Sequence, residues 1–184
     1  ANIDCLQAMG AQVVYFSPLA DAAIPSCDAL WLAGGYPELH VEALVANSAM
    51  KAAVAAHVHA GKPVWAECGG MMALFEQLTT VDGASYPMWG VLPGSVTLQK
   101  RLAALGPQQL DVAGGTLRGH AFHYSSSQTS LPAVARTQAA PASKLRGEGE
   151  ALYVQGSVKA SYFHAWFASS PQAAAGLFQK DRHD

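Results

Sequence analysis

Cys68 is the residue of this chain with the most to offer chemistry. It stands between Lys62-Pro63-Val64-Trp65-Ala66-Glu67 and Gly69-Gly70, and Met71-Met72-Ala73-Leu74-Phe75-Glu76-Gln77-Leu78 follows. The apolar run before it suits a buried strand. Met71, Met72, Leu74, Phe75 and Leu78 recur at spacings of three and four, which predicts a helix through Leu78. A thiol at such a strand-to-helix turn is a nucleophile elbow, because Gly69 and Gly70 remove side-chain bulk where the backbone bends and a carbonyl carbon must approach. The positive end of the helix dipole is expected to favour thiolate, the attacking form. A buried structural cysteine is the competing reading, and the strand-Cys-Gly-Gly-helix setting weighs against it.

A cysteine nucleophile needs a histidine to take and return its proton, and that partner is usually distant in sequence. His120, His123 and His164 are the candidates, and a lone histidine is as readily a structural residue. Placement at the end of a late strand favours His164. A second feature points to the same chemistry: Ala29-Leu30-Trp31-Leu32-Ala33 reads as a strand ending at Gly34-Gly35-Tyr36-Pro37-Glu38. Ligands of open parallel sheets bind outside the carboxyl ends of the strands, where backbone N–H groups near Gly35 would meet a developing oxyanion. An ordinary strand-to-helix turn would account for the same residues.

The remaining elements must hold these groups. Asn2 to Met9 is expected to be a helix stopped by Gly10, and Val13-Val14-Tyr15-Phe16 a short strand. Val41 to Ala46 and Ala49 to Ala60 read as helices, with His57 and His59 on different faces and both solvated. Tyr86 to Leu98 is expected to form irregular strands, and an extended Leu117 to Ser125 sets His120, Phe122 and Tyr124 on one face and Ala121 and His123 on the other. Ala133 to Ser143 reads as an edge strand or loop. Ala151 to Val154 and Val158 to Phe163 read as a hairpin turning at Gln155-Gly156-Ser157 and delivering His164. Pro171 to Phe178 closes the chain as a helix, with a frayed charged tail behind it. The fold class is α/β: an open, mostly parallel twisted sheet flanked by helices.

At 184 residues the chain reads as one domain, residues 1–184. Its formal net charge of −2 gives no field to recruit nucleic acid or an anionic membrane, so the expected partner is a small molecule or another protein. No apolar run is long enough to span a bilayer and no signal peptide is visible, so a cytoplasmic protein is expected. Cys5, Cys27 and Cys68 show neither disulfide nor zinc-ligand spacing; no metal is expected, and Cys5 and Cys27 read as packing residues. Phosphate-binding glycine fingerprints are absent, so ATP chemistry has no place on this chain.

Gly34-Gly35-Tyr36-Pro37-Glu38, Ala66-Glu67-Cys68-Gly69-Gly70, Arg118-Gly119-His120-Ala121-Phe122-His123-Tyr124-Ser125 and Ala160-Ser161-Tyr162-Phe163-His164 together resemble the C-terminal glutaminase domain of the cobyrinate a,c-diamide synthase family. The resemblance covers nearly the whole chain. It implies a class I glutamine amidotransferase fold, with Cys68 matching the nucleophile and His164 the activating histidine. Gly35 and Gly69 would hold the oxyanion, with Gly34, Tyr36, Glu67 and His123 around the substrate; Glu67 is expected to brace the elbow and His123 to shape the pocket wall. Position 166, often a glutamate in this class, is Trp166, so no orienting carboxylate is visible; the cobyrinate and cobyric acid branch is similar in lacking it.

The implied reaction is hydrolysis of glutamine to supply ammonia for diamidation of cobyrinate or hydrogenobyrinate in cobalamin biosynthesis. The family's ATP-dependent synthetase domain, which binds the corrinoid, has no counterpart in these residues, so ATP and Mg²⁺ are implied for that partner and no cofactor for this chain. A homodimer is compatible with the sequence. Rival readings are the glutaminase half of nickel-sirohydrochlorin a,c-diamide synthase, another cysteine hydrolase, and a catalytically silent docking domain.

Overall fold

The computed structural model describes residues 1–140 and 148–180. In chain order the elements are α1 (Asn2–Ala8), β1 (Leu30–Leu32), α2 (Val41–Ala46), α3 (Ser48–His59), β2 (Val64–Glu67), α4 (Gly69–Leu74), β3 (Phe75–Thr79), β4 (Ser85–Pro87), β5 (Leu92–Leu98) and β6 (Ala104–Val112). Then come β7 (Gly115–His123), β8 (Ser125–Gln128), β9 (Ala135–Arg136), β10 (Gln138–Ala139), β11 (Ala151–Gln155), β12 (Val158–Ser161), β13 (His164–Trp166) and α5 (Pro171–Leu177).

The strands form three sheets, ordered β1-β2-β12-β11-β9, β10-β6-β7-β13 and β4-β3-β5-β8. In the first, β1, β2 and β12 run parallel, and β11 and β9 extend the sheet antiparallel. β2 is buried at every position, as a strand covered on both faces must be. Its alternation divides the core: Val64 and Ala66 join Met71, Leu74 and Met50 in one cluster, while Trp65 joins Leu110, Leu117, Phe163 and Phe167 in another. Glu67 has the parity of Trp65 and so faces the second cluster, the side on which β13 lies.

Helix ends follow local chemistry. Asn47 Oδ1 accepts from the Met50 N–H at 3.2 Å and caps α3, and Pro171 opens α5 where its missing N–H costs nothing. The β11–β12 hairpin turns at Gly156, whose φ is +57°. The chain then leaves the first sheet through Tyr162 and Phe163 and enters the second as β13.

Three expectations need correction. Val13 to Phe16 forms no strand: it runs past a groove of about 1160 Å³ lined also by α1 and β1, and its backbone joins no ladder among the described residues. The elbow helix stops at Leu74. Phe75 to Thr79 is a strand because β4 pairs with it on one side and β5 on the other; Phe75 and Leu78, three apart, fit the helical period, yet both are fully buried in the strand, whose register with β5 shifts between Phe75 and Gln77. His57 is buried, not solvated, with Nε2 3.2 Å from the Pro63 carbonyl and Nδ1 4.0 Å from Cys27 Sγ, and burial pushes its pKa down. The expected segment Ala133 to Ser143 appears as the short strands β9 and β10, its last residues lying outside those described.

Among the described residues no helix is long and apolar enough to cross a membrane.

Candidate active site

The backbone at Cys68 is strained as an elbow requires. Cys68 adopts φ +46° and ψ −107°, the one non-glycine with positive φ among the described residues. Such a conformation costs on the order of 1–3 kcal/mol and persists where its surroundings over-determine it. Here the Cys68 N–H donates to the Ser161 carbonyl of β12 at 2.8 Å, and Met72 N–H donates to the Cys68 carbonyl at 2.9 Å. The thiol is lifted above the carboxyl end of β2.

A pocket of about 660 Å³ opens in front of it, lined by Gly34, Gly35 and Tyr36, by Leu105, Gly106 and Pro107 of β6, by His120, Ala121 and Phe122 of β7, and by Cys68 and His164. The sequence-selected Gly34, Gly35, Tyr36, Cys68 and His164 thus converge on one cavity from three separate segments. The β6 wall escaped the sequence reading, because Ala104 to Val112 carries no reactive side chain.

Close packing explains two glycines. A Cβ on Gly34 would lie 2.3 Å from His164 Cε1, so the imidazole rests directly on that backbone. A Cβ on Gly69 would lie 2.3 Å from the Gly35 carbonyl oxygen, so the two backbones carrying the expected oxyanion donors touch. The Gly35 N–H donates to no protein group among the described residues.

His164 opens β13 opposite His120 of β7, and the two rings stack at 4.9 Å and 13°. Burial and the neighbouring His120 and His123 push His164 down to about 4. Burial pushes the Cys68 thiol up to about 12; the Gly69 N–H opposes this, and the carboxylates Glu38, Glu67 and Glu150 reinforce it. The expected thiolate is therefore corrected. Desolvation outweighs the dipole of a helix only six residues long, and the resting pair is a thiol and a neutral imidazole. Cys68 Sγ donates to the Phe122 carbonyl at 3.8 Å.

Glu67, beside the elbow, is held by hydrogen bonds. Its carboxylate reaches across to the second sheet, accepting from Trp31 Nε1 at Oε1 and from the Ala165 N–H at Oε2, both at 2.8 Å. Burial raises it to about 7 against the Ala165 N–H and the Trp31 and Trp65 indoles. His123 does not line the pocket. Its ring stacks on Tyr162 at 3.8 Å, with Nδ1 2.9 Å from the Ser125 carbonyl and Nε2 3.2 Å from Glu150 Oε1, a close contact without hydrogen-bond alignment. The Tyr162 hydroxyl pairs with Ser125 Oγ at 2.9 Å, completing a buried polar layer behind the site. Its members are His, Tyr, Ser and a glutamate remote in sequence, and no local spacing marks them. Among the described residues no cluster of His, Cys, Asp or Glu is arranged to hold a metal.

Comparison with known proteins gives this geometry a context. Residues 1–172 match the family described as CobB/CobQ-like glutamine amidotransferase domains. The chain is 45% identical over 182 residues to a hydrogenobyrinate a,c-diamide synthase of Pseudomonas aeruginosa, covering 99% of this chain and 41% of that protein. It is 45% identical over 184 residues to a cobyrinate a,c-diamide synthase of Herminiimonas arsenicoxydans, covering 98% and 41%. It thus spans about two fifths of the curated relatives it matches. A solved structure titled as a glutamine amidotransferase superposes with a TM-score of 0.67 at 20% identity, covering 96% of this chain and 89% of that one, a likeness of fold.

Proposed function

Since this chain belongs to the family of CobB/CobQ-like glutamine amidotransferase domains, we propose that it hydrolyses glutamine through Cys68 and His164, and that the ammonia serves a,c-diamidation of cobyrinate or hydrogenobyrinate by an ATP-dependent synthetase partner. The observation that carries this reading is the strained Cys68 facing, in one pocket, the His164 ring packed on Gly34.

Sulfur attacks the side-chain amide carbon while the S–H proton passes to the neutral His164. The carbonyl oxygen takes the negative charge against the N–H groups of Gly35 and Gly69. Collapse breaks the C–N bond, and the His164 proton leaves with the amine as ammonia. Water then attacks the glutamyl thioester, its proton going to His164; the C–S bond breaks and sulfur regains the proton, releasing glutamate. A neutral imidazole with a depressed pKa is the right starting form for both proton acceptances. Tyr36, 59% exposed at the pocket mouth, is placed to cover a bound amino acid.

The test is ammonia release from L-glutamine, followed beside a thermal melt. Cys68→Ala is expected to melt as wild type and lose activity by about 10⁴-fold or more. Residual activity above about one per cent would contradict a covalent cysteine mechanism.

A further inference from the structure

Cys68 and His164 are delivered by different sheets. Cys68 follows β2 in the first, and His164 opens β13 at the edge of the second. The two strands share no ladder, yet a catalytic pair must be held to about half an ångström. β13 is three residues long and, among the described residues, pairs with β7 alone. The side chains on its free edge therefore set where it lies. There the Ala165 N–H donates to Glu67 Oε2 at 2.8 Å, and the Ala165 carbonyl accepts from Asn2 Nδ2 at 2.7 Å. Glu67 is the residue immediately before Cys68.

We propose that Glu67 is a positioning residue for the Cys68–His164 pair, its buried carboxylate tying the strand that carries the histidine to the turn that carries the cysteine.

The chemistry of the contact singles out an acid. Two N–H donors, one from the Trp31 indole and one from the Ala165 backbone, aim at the two oxygens of a side chain only 2% exposed. Only an acceptor-only group satisfies both, since an amide in this place would turn its own NH₂ against one of them. Stability alone does not call for a carboxylate here. Among the described residues no cation pairs with Glu67, and burying an uncompensated acid is costly. Its placement is explained by what it joins. Among the described residues the imidazole of β13 stacks on His120 and rests on Gly34, and has no hydrogen bond from its own side chain.

The inference rests on the glutaminase reading for its kinetic arm and is independent of it in its spectroscopic arm. The whole chain is compared as wild type, Glu67→Gln, Trp31→Phe and the double variant, by ammonia release and by NMR titration of the histidine rings. Glu67→Gln is expected to lower kcat by about 10- to 100-fold, with KM changed less than about threefold, because misplacing a catalytic group by an ångström costs that much. As β13 slackens and water reaches the ring, the His164 midpoint should rise from about 4 toward 6.5, with His120 and His123 still facing it. Trp31→Phe alone should cause a smaller loss. In the double variant the amide oxygen meets the Ala165 N–H and its NH₂ no longer opposes the indole, so most of the kcat and the low midpoint should return, a strongly non-additive result. A wild-type His164 titration in Glu67→Gln would overturn the proposal. So would a double variant that melts cooperatively without recovery, or a Glu67→Gln chain that merely unfolds and is not rescued. Should no variant and not even wild type release ammonia, the glutaminase reading fails, and the titrations still decide the positioning role.

Discussion

A buried thiol beside an uncharged imidazole does not behave like a thiolate–imidazolium pair. With Cys68 held up to about 12 and His164 down to about 4, neither group carries charge near neutrality, and attack must coincide with proton transfer. Iodoacetamide should therefore alkylate Cys68 slowly at neutral pH, with a rate still climbing above the ordinary thiol value of 9.0. A plateau of fast labelling below neutrality would contradict this. The same shift makes a stability claim. His164 binds its proton at about 6.5 when unfolded and about 4 when folded, so acid between those values favours the unfolded chain and stability falls as pH drops through that window. His57, buried and shifted the same way, adds to the loss. His164→Asn should lose less melting temperature than wild type over that window; an equal loss would mean that His164 is not desolvated. Gly34→Ala tests the ring's seat, since its methyl would lie 2.3 Å from His164 Cε1. It should cut kcat by about 10²-fold while shifting the melt far less, as the ring yields more easily than the backbone.

The strand that follows the elbow helix carries a prediction about packing. Leu78 is fully buried in β3 between β4 and β5, so Leu78→Ala should cost about 2–5 kcal/mol in denaturant unfolding. A loss below about 1 kcal/mol would deny β3 that central place. The same element shows what a sequence can reveal. Cys68 with its glycines, the Gly34-Gly35 strand end, β7, the β11–β12 hairpin and His164 were legible because each is written locally, in periodicity and turn residues. Phe75 to Thr79 was misread because its apolar residues stand three apart, the helical spacing, while pairing with β4 and β5 and a register shift between Phe75 and Gln77 bury both in a strand. Val13 to Phe16 has the composition of a strand but, among the described residues, no ladder partner. Glu67 was legible as a residue beside the elbow but not as a link to Ala165, 98 positions away, because that contact exists only after two sheets meet. The thiolate expectation failed for a related reason: burial, which sequence does not display, outweighs a short helix's dipole.

The whole molecule gathers Cys68, His164 and the Gly34–Gly35 turn in one pocket, in a chain that spans about two fifths of its curated relatives. Without a phosphate-binding loop in its sequence, it should neither bind ATP and Mg²⁺ in calorimetry nor respond to them in turnover. Ammonia release by this chain alone should be weak and should rise when the rest of the Pseudomonas aeruginosa relative is supplied, through preferential binding of the state in which the Gly35 turn and the Cys68 elbow are aligned. ATP binding to this chain alone, or full activity without the partner, would contradict that coupling. The central claim is that glutamine passes through a thioester on Cys68. Acid-quenching the chain during turnover of L-glutamine and mapping it by mass spectrometry tests this directly. A glutamyl group on the peptide containing Cys68, absent from Cys68→Ala, is the predicted result; glutamate formed at an unchanged rate by Cys68→Ala, or an acyl group on any other residue, would contradict it.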